Sequence, residues 1–243
     1  MTKQALSPEH PTLNKNHYFP GFPAEFFSFL IKEKILRSNA DIASIDPGNG
    51  EVMRPFIENG NKVICHHPEK YLNQLKRSSA DIFLMSNAYD HVNAIEGLRE
   101  VYKVLKPEGY FILLDNDRLT DESEFLLEYE SLLHNYSNDY ETEFPKQSRI
   151  KEMRNWFTNA TDVKTFKEIA VNNHIDVDQG GLKKAIDAAL GKGLTTSLAS
   201  SVDKEISRIF DTHHKEGKVR FEYTTFLYAG KLKKQLWPQS EQS

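Results

Sequence analysis

Ser44-Ile45-Asp46-Pro47-Gly48-Asn49-Gly50 follows the apolar-leaning run Ala40–Ser44 and predicts a buried strand running into a glycine turn and then a helix. In open α/β sheets that layout holds nucleotide-type cofactors, because backbone N–H groups of the turn and the N-terminus of the helix face the ligand. A side chain stands where a third glycine is expected. At a position that needs close backbone approach or a positive φ, a side chain costs strain or space.

Working outward, strands and helices alternate. Pro23-Ala24-Glu25 opens a helix whose apolar positions include Phe26, Phe27, Leu30 and Ile31, a spacing suited to covering one face of a sheet. Strands are predicted at Asp41–Ile45, Lys62–His66, Asp81–Ser86 and Tyr110–Asp115. Helices are predicted at Glu51–Asn59 (stopped by Gly60), near Glu69–Lys76, and at Ala94–Leu105, with Pro107-Glu108-Gly109 as a turn. Such alternation implies right-handed crossovers and a parallel sheet with helices on both faces. Further on, Asp121–Tyr136, Leu182–Leu190 and Val202–Glu216 read as helices and Phe166–Asn173 as a strand. Residues 137–160 read as insertion or lid, and Val219–Ala229 alternates like an antiparallel strand. The expected organisation is a loose arm over 1–15, one domain over 16–232 with a partly helical lid at about 120–200, and a frayed tail over 233–243.

Composition narrows the partners. The 243 residues carry a formal charge of −4, which gives no basic footprint for nucleic acid. Cys65 is the single cysteine, so neither an intrachain disulfide nor a Cys-based zinc site can form within one chain. No apolar run approaches the ~20 residues that cross a bilayer, and the first fifteen residues lack the apolar core of a secretory signal. The expectation is a cytoplasmic protein with no membrane and no nucleic-acid partner.

From Tyr18 to Asp115, and more weakly to Gly230, the chain resembles the class I S-adenosylmethionine-dependent methyltransferases that act on small molecules. Four pieces carry the resemblance. His17-Tyr18-Phe19-Pro20-Gly21-Phe22-Pro23 is similar to the Tyr- and Pro-bearing opening of that group. Gly48-Asn49-Gly50, Arg54-Pro55 and Gly60-Asn61-Lys62-Val63 match the glycine loop, its helix and the start of strand two. Glu100-Val101-Tyr102-Lys103-Val104-Leu105-Lys106-Pro107-Glu108-Gly109 resembles the family's Glu-Val-x-Arg-Val-Leu-Lys-Pro-Gly-Gly segment, and Tyr223–Gly230 its closing strand. The resemblance implies a doubly wound, Rossmann-like, mostly parallel sheet with an antiparallel last strand. It also implies S-adenosylmethionine held around Tyr18, Ser44, Asp46, Gly48, Gly50, His67 and Asn87.

The glycine loop aligns in two registers. One takes Asp46 as the leading acid and puts Val52 at the final glycine. The other puts Ser44 at the acid and Asp46 at the first glycine, and brings Arg54-Pro55, Gly60 and Val63 into step without a gap. At the end of strand two, where the family carries an acid for the ribose hydroxyls, stands His67. An imidazole accepts one hydrogen bond where a carboxylate offers two oxygens and a charge. Only Glu69–Ala80 precedes the next strand, room for a short helix and a turn but not for the family's third, outermost strand.

Ser86-Asn87-Ala88-Tyr89-Asp90-His91 leaves a strand near the sheet's crossover point, where Tyr89, Asp90 and His91 can orient or deprotonate an acceptor. Asp90 reads equally well as the cap of the next helix. Asp115-Asn116-Asp117 faces the same cleft or is exposed turn chemistry. Phe22, with Tyr18 and Phe19, is a ligand shelter or a staple for the first helix. Neighbouring histidines on a strand point to opposite sides, so His66-His67 does not read as a metal site, and His213-His214 reads as the end of a solvated helix. Two functions follow. One is a small-molecule methyltransferase with a degenerate cofactor site; the other is a non-catalytic relative that binds another ligand, a protein partner or a second copy of itself.

Overall fold

The computed structural model describes residues 20–45, 51–66, 76–86, 89, 95–120, 122–136, 148–190 and 196–233. Its elements are α1 (Ala24–Lys32), β1 (Asp41–Ile45), a 3-10 turn (Glu51–Met53), α2 (Arg54–Glu58), β2 (Lys62–His66), β3 (Ala80–Ser86), α3 (Ile95–Val104) and β4 (Leu105–Arg118). There follow α4 (Glu124–Tyr136), α5 (Ser148–Ala160), β5 (Lys167–Val177), α6 (Gln179–Leu190), α7 (Thr196–His213) and β6 (Val219–Gly230). The expected glycine turn at 46–50 lies outside the described residues, as does nearly all of the expected helix at 69–76.

The strands form one sheet in the order β2-β1-β3-β4-β6-β5. β1 pairs in parallel with β2 and β3, and β3 with β4, while β6 runs antiparallel to both β4 and β5. The expectation of a mostly parallel sheet with an antiparallel last strand is met, and β2 is the outermost strand on its side among the described residues.

Alternation along these registered strands sorts the side chains into two faces. Ile42, Ile82, Leu84, Ile112, Leu114, Leu227 and Ala229 share one face and pack under α1 and α2 through Phe26, Leu30 and Phe56. Phe22 makes edge-on contacts with Phe26 and Phe56 at 5.7 and 5.1 Å, the staple expected of it. Ala43, Ile45, Phe83, Met85, Phe111, Leu113 and Tyr228 form the opposite face, covered by Leu98, Val101 and Val104 of α3 and Met153, Phe157 and Ala160 of α5. Phe157 stacks on Phe111 with ring centres 5.1 Å apart. Burying a side chain of this size is worth about 1.5–3 kcal/mol, so residues 148–160 belong to the sheet's helical cover and not to a lid, while the rest of the expected 137–160 insertion lies outside the described residues.

A third apolar cluster lies where β5 and β6 run on past the ends of the parallel strands. Val177, Val219, Phe221 and Tyr223 pack there against α4, α6 and α7. These three helices are the part of the 120–200 region and its continuation that gathers at the carboxyl end of the sheet.

Two local expectations change. Pro107-Glu108-Gly109 is not a turn ahead of the strand but a bulge within β4. Ala80 pairs with Leu105 and Ile82 with Tyr110, so the intervening residues of β4 all stand opposite Asp81, and Glu108 takes a positive φ of 69°. His213 is not solvated: its side chain is 12% exposed and its Nε2 lies 3.2 Å from Glu128 Oε1. Gly60, with φ 89°, ends α2 as expected.

Candidate functional site

Where the parallel strands approach their carboxyl ends, the apolar pattern on the α1/α2 face gives way to polar residues. Ser44 in β1, Ser86 at the end of β3, Asn116 in β4 and Thr225 in β6 are all buried and share that face through the registers Ser44↔Leu84, Leu84↔Ile112, Ser86↔Leu114 and Asn116↔Thr225. They form an oblique belt between the cluster under α1 and α2 and the cluster under α4, α6 and α7. The belt follows the stagger of the strand ends, where ligands collect in this architecture.

Ser44 is fully buried, and its Oγ has no hydrogen-bond partner among the described residues. Leaving such a group unsatisfied costs about 1–3 kcal/mol. Its place is two residues before Asp46, at the entry to the glycine-turn sequence.

The other end of the belt is internally bonded. Thr225 Oγ1 donates to Asn116 Oδ1 at 2.6 Å, and Asn173 Nδ2 in β5 reaches Thr225 Oγ1 at 3.2 Å and the Gly21 carbonyl oxygen at 3.1 Å. The last bond draws the segment ahead of α1 onto the sheet.

Of the residues expected from the sequence to form the site, Ser44 and Tyr89 are described, and the structure does not bring them together. Tyr89 belongs to the cluster on the opposite face, edge-on to Trp156 at 5.3 Å. Asp115, also buried, alternates to that side, while Asn116 faces the belt. Tyr18, Asp46, Gly48, Gly50, His67, Asn87, Asp90 and His91 lie outside the described residues. Thr225 and Asn173 were missed by the sequence reading. Their signal is the pair Thr224-Thr225 interrupting the apolar alternation of β6 and Asn172-Asn173 within β5.

Charge gathers at three places around the sheet. Below it, Lys106 Nζ lies 2.6 Å from Asp41 Oδ2 and 2.8 Å from Asp81 Oδ2, with Arg37 on the other oxygen of Asp81 at 3.0 Å. Above it, Arg118 and Glu130 join β4 to α4. Between α4 and α7 a groove of about 480 Å³ is lined by Glu128, Ser131, Tyr136 and Arg208. Burial pushes the Glu128 carboxyl up, but Arg208 and His213 beside it outweigh that and hold it below the usual range. The groove lies away from Ser44 and shares no residue with the belt. On the far face, burial pushes the Tyr228 hydroxyl up to about 12, helped by Glu168 and Asp115 and opposed by Arg154.

Among the described residues, no three His, Cys, Asp or Glu side chains come together as a metal-holding group, and no helix is long and apolar enough to cross a membrane.

A family model for the methyltransferase domain matches residues 33–113, the segment from the end of α1 through the middle of β4. Among solved structures, the chain is similar to a candidate type II methyltransferase from Anaeromyxobacter dehalogenans at 14% identity and TM-score 0.55, over 92% of this chain and 100% of that one. It is also similar to the S-adenosylmethionine-dependent methyltransferase of Geobacter sulfurreducens in complex with S-adenosyl-L-homocysteine (11% identity, TM-score 0.41, 89% of this chain and 94% of that one). The YcgJ protein of Bacillus subtilis aligns at 16% identity and TM-score 0.43, over 87% and 100%. No curated protein matches significantly. The sheet order, with its lone antiparallel strand between β4 and β5, is that of a Rossmann-like methyltransferase fold. The fold is thus one shared with methyltransferases, and residues 33–113 match the methyltransferase-domain model.

Proposed function

We propose that this protein binds S-adenosylmethionine at the carboxyl ends of β1 and β3 and serves methyl transfer to a small molecule, with a cofactor site reduced relative to its family. Residues 16–232 form the working domain, and the protein acts in the cytoplasm. The observation that carries the reading is the buried Ser44 Oγ, without a hydrogen-bond partner among the described residues, beside the glycine-turn sequence. A hydroxyl there can exchange hydrogen bonds with a ligand or with the turn that holds it, so the residue fits the cofactor. It does so more weakly than a carboxylate, which brings two acceptor oxygens and a charge.

The cofactor supplies an electrophilic methyl group on a sulfonium sulfur. What remains for the protein is proximity, alignment and exclusion of water. Ser44, with Tyr18, Asp46, Gly48, Gly50, His67 and Asn87, would hold the cofactor, and Asp90 and His91 would order the acceptor. Burial of Tyr89 against Trp156 makes its part that of a wall.

Calorimetric titration of the purified chain with S-adenosylhomocysteine tests this. The wild type gives a saturable heat, and Ser44→Ala binds several-fold more weakly. No heat and no thermal shift at about 1 mM ligand, an affinity worth only ~4 kcal/mol, overturns the enzyme reading. The non-catalytic alternative then stands: a methyltransferase-fold protein holding another ligand, a protein partner or its own copy. The short connection Glu69–Ala80 beside β2 favours it, since a third strand does not fit there.

A further inference from the structure

The bonded end of the polar belt has a fixed direction. Asn173 Oδ1 accepts the backbone N–H of His174 at 2.9 Å, while Nδ2 donates to the Gly21 carbonyl oxygen at 3.1 Å and to Thr225 Oγ1 at 3.2 Å. A backbone N–H can only donate and a carbonyl oxygen can only accept, so both main-chain partners impose the same orientation on the Asn173 amide. Thr225 Oγ1 therefore accepts a hydrogen bond from Asn173 Nδ2 and donates its hydroxyl hydrogen to Asn116 Oδ1, 2.6 Å away. That in turn points the oxygen end of Asn116 toward β6 and makes its NH₂ end the one directed away from it. The orientation of a buried amide near the end of β4 is thus set from β5, two strands over, by the same side chain that holds the segment ahead of α1.

We infer that Asn173 is a positioning residue of the candidate site: it latches the Gly21 segment to the sheet and, through Thr225, fixes Asn116 with its N–H groups away from β6. This rests on the reading of the strand ends as a ligand cleft.

The test uses the full chain and four variants. Asn173→Ala removes the relay, and Asn173→Asp keeps the acceptor for His174 while losing both donated bonds. Thr225→Val breaks only the inner leg, and Thr225→Ser preserves it. Hydrogen exchange over residues 20–26 quickens several-fold in both Asn173 variants and stays at the wild-type rate in Thr225→Val. In amide NMR spectra the Asn116 side-chain NH₂ pair shifts in Asn173→Asp and Thr225→Val and keeps its wild-type position in Thr225→Ser. S-adenosylhomocysteine affinity falls several-fold in the same two variants. Unchanged exchange in both Asn173 variants overturns the latch, and an unmoved Asn116 signal in Thr225→Val overturns the relay. If the wild type binds no S-adenosylhomocysteine, the proposed function fails, while exchange and the Asn116 signal still decide the role of Asn173.

Discussion

The Arg118 guanidinium meets the Glu130 carboxylate at 2.7 Å and lies 4.7 Å from the centre of the Tyr129 ring, so the far end of β4 is bound to α4 by an ion pair and a cation–π contact. The Glu130 side chain is only 7% exposed. Removing one partner of a buried pair leaves the other charge uncompensated, at a cost of about 3–5 kcal/mol, whereas replacing both with apolar residues is often close to neutral. In urea unfolding, Glu130→Ala, which leaves an Arg118 side chain 24% exposed, is expected to lose about 1.5–3 kcal/mol, and Arg118→Met with Glu130→Leu to recover most of it. A loss below ~1 kcal/mol in Glu130→Ala would make the pair a bystander.

At the opposite end of the sheet, Asp81 accepts from Lys106, from Arg37 and from the Asp41 backbone N–H. Burial raises the Asp81 carboxyl, but these donors together outweigh it and hold it below the ordinary value. A carboxylate depressed in the folded state stabilises the fold above its unfolded pKa of about 3.9 and loses that contribution as pH falls through the folded value. Asp81→Asn is therefore expected to be less stable than wild type by about 1–3 kcal/mol at neutral pH. The gap should close below about pH 4, and thermal melts of both proteins across pH read it directly.

Gly230 ends β6 against Thr161. A Cβ built on Gly230 would stand 2.9 Å from Thr161 Cβ, and Thr161 is itself fully buried and bonded to the Phe157 carbonyl at 2.8 Å. Overpacking of this kind costs about 1–3 kcal/mol. Gly230→Ala should lower the melting temperature accordingly, while alanine at Gly21, where an added Cβ meets no atom of the described residues within 4 Å, should not.

Tyr228, raised by burial to about 12, contributes stability that is full below its unfolded pKa of about 10 and lost as pH rises through about 12. Alkaline titration followed by phenolate absorbance should show a late-titrating group in the wild type that is missing from Tyr228→Phe. The variant should also lose stability less steeply across that range. Loss of a step near pH 10 in place of the late one would mean that burial does not hold the Tyr228 hydroxyl up.

Periodicity alone placed β1 and β2 to the residue, because both are short apolar runs closed by turn signals. It stopped β4 too early, since Asp115-Asn116-Asp117 reads as a turn until β6 supplies its partners Phe226, Thr225 and Thr224. Pairing across a hundred residues has no local signal. The α5 stretch misled for a related reason: its charged residues hide the Met153, Phe157 and Ala160 stripe that reaches the core. At the site, Ser44 was legible because its neighbours Asp46, Gly48 and Gly50 carry the motif. Asn173 was not, because its partners, Gly21 and Thr225, become neighbours only when the sheet is built.

On the face of β6 that bears Thr225, Tyr223 belongs to the cluster under α4, α6 and α7, and Leu227 to the cluster under α1 and α2. A hydrophobic core that is continuous melts as one, whereas a row of polar groups across it divides the molecule into units with their own opening free energies. Hydrogen exchange is therefore expected to be faster in α4, α6 and α7 than around α1. A bound molecule would act as the mortar between the two halves, felt first as slowed exchange in the bundle.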